Sequence, residues 1–165
     1  MVKFLLLALA FGLAHAQVKI DGNWVTLAIA ANNVDKVVLE GPLRVYVREI
    51  TCNEECSEME ITFYVNLNGQ CSKTKVTGYK QADGSYRTQY EGDNKFELTY
   101  LTATHAVFKS KNVDRAGTET NLIFILGKGE PLTEEAHRKV EAYVEKHNIP
   151  SENLQDVLAT DTCPM

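Results

Sequence analysis

The sequence predicts an all-β chain, a barrel or sandwich of antiparallel strands in an up-and-down meander, with one helix near its C-terminal end. Three observations carry that expectation. From Gly41 to Gly129, short β-rich runs alternate with turn signals about every ten residues. Within the runs apolar residues fall on alternate positions, the period of a strand with one buried face. After them comes a single amphipathic stretch with helix start and stop signals.

Taken in order, Met1 to Ala16 joins Lys3, the apolar run FLLLALAFGLA and Ala14-His15-Ala16, whose small-x-small pattern suits signal peptidase. Residues 1–16 therefore read as a signal peptide for secretion, and 17–165 as one domain with a single sizeable core. In the first clear strand Leu43, Val45 and Val47 share a side, with Arg44, Tyr46 and Arg48 opposite. The next repeats the scheme, Ile61, Phe63 and Val65 alternating with Thr62, Tyr64 and Asn66. Asn68-Gly69 and Asp83-Gly84 accept the positive φ of tight hairpins, and Glu91-Gly92-Asp93 and Arg115-Ala116-Gly117 mark slightly longer connections. Phe96 and Leu98 share a side farther on. In NLIFILG, Leu122, Phe124 and Leu126 oppose Ile123 and Ile125, so both faces are apolar and something must cover the outer one. The expected cover is a helix from Thr133 to His147, preceded by Pro131 and opened by Glu134 and Glu135, which suit its positive N-terminal end. Its apolar stripe is Ala136, Val140, Tyr143 and Val144, and Asn148 and Pro150 end it. Leu154 to Ala159 is expected to return along the strands.

The four cysteines, Cys52, Cys56, Cys71 and Cys163, are an even set in a chain expected to be exported, which favours disulfides. Three pairings are possible. In a straight strand the Cα atoms of Cys52 and Cys56 would lie about 13 Å apart, beyond the roughly 7 Å a bridge tolerates. A bridge between them needs a turn, which Asn53-Glu54-Glu55 favours, and that pairing leaves Cys71 for Cys163. Zinc and dithiol redox chemistry use a two-residue spacer that C-x3-C lacks, and no paired histidines stand nearby, so no metal is expected.

The formal charge is −5, and −6 once Lys3 is lost with the leader; the basic residues are scattered among acids. That argues against nucleic acid and anionic membranes as partners. No run approaches the roughly 20 apolar residues of a membrane span. No nucleophile stands beside a plausible base in the sequence, and no cofactor motif occurs; the expectation is a protein that is not an enzyme.

The residues then carry a resemblance. Gly22-Asn23-Trp24 is the G-x-W element at the start of a first strand, and it stands at the right distance from the strands, the helix and the tail cysteine. With C-x3-C, CSEMEITFY, NVDRAGTETN, Gly127-Lys128-Gly129 and ATDTCP, the mature chain resembles the lipocalins, and among them the odorant-binding branch of mammals. The resemblance implies an eight-stranded antiparallel barrel around a ligand cavity, with the helix outside, and the two bridges named above. It implies that Gly22, Trp24 and Lys128 close one barrel end, the tryptophan acting as a plug under a cation. Alternation and the resemblance together nominate a ligand site of Ile29, Leu43, Val45, Ile61, Phe63, Tyr90, Phe96, Phe108, Leu122, Phe124 and Leu126, with Asn94 and Ser110 as polar handles. The implied function is a secreted carrier of small hydrophobic volatiles, odorants or pheromones, in nasal mucus or another exocrine secretion, as a monomer or weak homodimer. The alternative is a protein that itself signals to a chemosensory receptor. Some lipocalins isomerise prostaglandins with a free cavity thiol, but this chain can pair all four of its cysteines.

Overall fold

The computed structural model describes residues 18–165, so the expected signal peptide, residues 1–16, lies outside the described residues. Ten strands form one antiparallel sheet: β1 (Gly22–Asn23), β2 (Val25–Ala31), β3 (Tyr46–Cys52), β4 (Glu58–Leu67), β5 (Gln70–Lys80), β6 (Tyr86–Gln89), β7 (Asp93–Leu101), β8 (Ala106–Val113), β9 (Glu119–Gly127) and β10 (Leu154–Asp156). The meander runs unbroken from β3 to β9. β1 and β2 are successive pieces of one N-terminal strand, separated by Trp24; the first pairs with β3 and the second with β9. The sheet thus curls until its two edges meet, which makes it a barrel and not a sandwich. Its staves are the eight strands β2 to β9, while β1 and β10 are short additions at the edges. At the join, the buried Thr26 hydroxyl accepts from the Val47 N–H at 3.0 Å and donates to the Val45 carbonyl at 2.9 Å. One side chain stands in for ladder bonds where the strands part.

Local chemistry explains the hairpins. Asn68 and Gly69, at φ 54° and 75°, join Leu67 to Gln70 in a two-residue turn. The regular part of β3 starts at Tyr46, later than the alternation from Leu43 predicts, because residues 41–45 still belong to the segment that crosses the barrel mouth. A bulge between Val47 and Glu49 then shifts the phase, so Ile50 takes the inward position.

The helix α1 spans Glu134–Lys146; Thr133 caps it by accepting the Ala136 N–H at 3.1 Å. Val140, Tyr143 and Val144 pack on Ile123 and Ile125 of β9 and on Val25 and Leu27 of β2, which is the cover that NLIFILG demanded. Asn148, at φ 64°, turns the chain out of the helix toward β10, which pairs with β2. Arg44 lies under this returning segment with 3% of its surface exposed. Its guanidinium donates to the carbonyls of Val37 and Asp156, to Gln155 Oε1 and Thr160 Oγ1, and to the Tyr46 hydroxyl. Neutral acceptors in number hold this buried charge without a carboxylate in the set.

Both bridges form: Cys52–Cys56 across the expected turn, with Cα atoms 4.7 Å apart, and Cys71–Cys163, at 5.7 Å, which holds the tail to β5. Arg48 grips the same tail through a two-pronged pair with Asp161, at 2.7 and 2.8 Å. Among the described residues no helix is long and apolar enough to cross a membrane.

Candidate ligand-binding cavity

Inside the barrel is a cavity that offers about 100 Å³ to the centres of water-sized molecules. Of the expected lining, Leu43, Val45, Ile61 and Phe63 border it from the first half of the sheet; Tyr90, Asn94, Phe96, Phe108, Ser110, Phe124 and Leu126 border it from the second. Ile29 and Leu122 do not. Ile29 lies opposite Phe124 and so shares the inner face, but it and Leu122 are wholly buried against Val37 and Leu43 beneath the mouth, where the barrel is filled. Val47, Ile50, Val76 and Thr88 line the cavity beyond the expected set. Val47 was already legible in the strand alternation, whereas Ile50 falls in phase only because of the bulge. Val76 and Thr88 come from β5 and β6, whose polar sequences mark no inner face.

The walls are mainly aromatic and aliphatic. Phe96 stacks on Tyr86 at 5.5 Å and meets Phe108 edge-on at 5.9 Å, while Phe63 and Tyr90 pack edge-to-face at 5.1 Å. The Phe96 ring leans so close to β5 that a side chain at Gly78 would come within 2.6 Å of it.

The polar groups divide by prior engagement. Asn94 accepts from Asn112 Nδ2 at 2.9 Å and donates to the Tyr90 carbonyl at 2.7 Å, so its amide is already engaged in holding the β6–β7 connection. Burial, with the nearby Glu91 charge, pushes the Tyr90 hydroxyl up to about 12; it stays protonated and makes only a long, 3.4 Å bond to the Pro42 carbonyl. Tyr90, Ser110 and Thr88 are therefore the hydroxyls best able to meet a ligand oxygen.

One barrel end is plugged. Trp24 is 2% exposed, its indole N–H donates to the Ile20 carbonyl at 2.7 Å, and Lys128 Nζ stands 3.5 Å from the ring centroid. Lys128 also donates to the Asn23 carbonyl, and burial lowers its pKa from the usual lysine value. Trp24 borders an outer groove and not the cavity, in keeping with a plug.

The other end is covered by residues 32–45. Val37 and Leu43 are buried beneath it. The segment is tied down by Asn32 to Asn121, by Glu40 to the Asn68 N–H, and by the 2.8 Å pair of Lys36 with Asp114. Lys36, helped by the N–H groups of Thr118 and Ala116, holds the Asp114 carboxyl below the usual carboxylate range. A depressed folded-state pKa stabilises above the unfolded value near 3.9 and loses that contribution as pH falls through the folded value. Acidification below about pH 3.9 is thus expected to loosen the cover progressively. Amide protection at Val37 and Val38, taken relative to the intrinsic exchange rate at each pH, checks this: it should fall in acid, and already at neutral pH in Asp114→Asn.

A family model described as "Lipocalin / cytosolic fatty-acid binding protein family" matches residues 21–161. An odorant-binding protein of Phodopus sungorus is 64% identical over 146 residues, covering 88% of this chain and 97% of that protein. Among solved structures, aphrodisin, described as a sex pheromone from female hamster, aligns with a TM-score of 0.86 at 50% identity over 89% of this chain and 100% of its own. A complex of bovine odorant-binding protein with undecanal aligns at 0.65 with 30% identity, covering 90% of this chain and 96% of that one.

Proposed function

The chain belongs to the lipocalin / cytosolic fatty-acid binding protein family, and from that premise we propose that it is a secreted carrier of small hydrophobic odorants or pheromones, bound singly inside the barrel. The observation that carries this reading is the apolar cavity inside the barrel with a few hydroxyls on its wall. Burial of alkyl or ring surface supplies the affinity, and Ser110, Thr88 or Tyr90 orients an alcohol, aldehyde or ester. At about 0.3 to 1 kcal/mol per heavy atom, a ligand of roughly 10 to 15 such atoms binds at micromolar strength. Breadth follows, because a methyl group changes preference by only about 1 to 3 kcal/mol. The undecanal bound to the bovine relative is of this chemical kind. Both disulfides leave no free thiol, which favours a carrier over cysteine-based catalysis in the cavity. The setting that suits such a carrier is nasal mucus or another exocrine secretion.

The test is titration of the delipidated, fully bridged protein with a fluorescent apolar probe, followed by competition with volatile alcohols, aldehydes and esters. The expected result is saturable micromolar binding near one site per chain, displaced by the volatiles. Absence of binding would transfer the function to the folded protein itself as the signal.

A further inference from the structure

We propose that ligand enters and leaves through the barrel wall, at a seam between β5 and β6, and not past the covered mouth; this rests on the carrier reading. β5 is paired with β4 along its whole length, from Glu58↔Tyr79 to Leu67↔Gln70. Against β6 it is paired at Tyr79↔Arg87 and Lys80↔Tyr86 alone, although β6 continues to Gln89 on its β7 side. The next pair in register would be Gly78 with Thr88, and there the ladder stops.

Beyond that point Val76 and Thr88 each border two spaces: the cavity on the inside, and on the outside a surface groove that Thr77, Tyr79 and Gln89 also line. Two half-buried side chains with no ladder hydrogen bond therefore separate ligand space from solvent. Gly78 contributes no side chain to this stretch, and only the edge of the Phe96 ring fills its place. The mouth is the costlier exit. Opening it breaks the Lys36–Asp114 pair and the bonds at Glu40 and Asn32, and pulls Val37 and Leu43 out of their packing. Side-chain rotation at the seam disturbs none of these. A slot between strands also sorts by cross-section, so flexible unbranched chains should exchange faster than branched or polycyclic ligands of equal affinity.

The four native cysteines are all bridged, so one introduced on the surface is a unique attachment point. Gln89→Cys, exposed in the groove and outside the cavity lining, would carry a bulky maleimide; Ala116→Cys, exposed on the β8–β9 loop beside the mouth, would carry the same label. Thr77→Cys repeats the groove position should Gln89→Cys fold poorly. Stopped-flow mixing with 1-aminoanthracene reads both rate constants. The groove label should slow association and dissociation together by about tenfold, leaving Kd nearly unchanged, while the Ala116 label leaves both rates alone. Slowing by the Ala116 label with no effect of the groove label would overturn the seam. So would a groove label that alters dissociation only, because a gate changes both rates by one factor. No binding of the probe to the unlabelled protein would remove the carrier reading, and the seam with it; binding with rates blind to the groove label removes the seam alone.

Discussion

Replacement of Ser110 by phenylalanine is expected to lower affinity for small hydrophobic ligands at least about 100-fold, equivalent to roughly 2.7 kcal/mol, while the barrel stays folded. Ser110 lies on β8 opposite Phe96 on one side and Leu122 on the other, its side chain facing the cavity. A phenyl ring there would occupy much of the room that a ligand needs, since the space open to the centres of water-sized molecules is only about 100 Å³. Overpacking a filled core costs about 1 to 3 kcal/mol, but this position faces a void, so burial of the ring, at about 1.5 to 3 kcal/mol, offsets the strain. Thermal melting should accordingly move by only a few degrees. Ser110→Ala separates the two losses: it keeps the space and removes the hydroxyl, and should weaken an alcohol or ester by about 0.5 to 1.5 kcal/mol, roughly two- to twelvefold. Unchanged ligand affinity in Ser110→Phe would place the ligand somewhere other than this cavity.

The second large effect concerns stability. Removing the Cys71–Cys163 bridge in a double serine variant should cost about 4.5 kcal/mol, because it releases a closed loop with a sequence separation of 92 residues in the unfolded chain. For a protein of this size that corresponds to a fall in Tm of about 10 to 15 °C. Loss of Cys52–Cys56, with a separation of 4, should cost about 2 kcal/mol by the same reasoning. The order is the sharper test, since both bridges share one chemistry and differ in the loop they close. The tail held by the long bridge also brings Asp161 to Arg48 and Thr160 to Arg44. Its release would leave two guanidinium groups short of partners, and exchange protection near Arg44 and Arg48 should fall before the barrel melts. A smaller loss from the long bridge than from the short one would show that loop closure in the unfolded chain does not set the cost.

The rows of inward residues on β4, β7 and β9, the helix from Thr133, and the glycine turns were legible in the sequence. Each is a local property: side-chain direction repeats every two residues in a strand, and caps and positive-φ turns depend on a few neighbours. Eleven of the thirteen candidate ligand contacts accordingly border the cavity. Ile29 and Leu122 face inward as their alternation requires, yet meet Val37 and Leu43 from the mouth segment and leave no space beside them. Val76 and Thr88 reach the cavity from strands whose polar sequences show no inner face. Thr26 reads as an ordinary strand threonine and Arg44 as a surface charge, until the barrel closes on one and the returning tail covers the other. Sequence periodicity thus determined which side chains point inward. Only the tertiary structure decided which of them face empty space, where the wall is closed by a hydroxyl, and where it is left without hydrogen bonds. Those outcomes depend on bulges, on where the β5–β6 pairing ends and on segments distant in the chain, none of which a local pattern encodes.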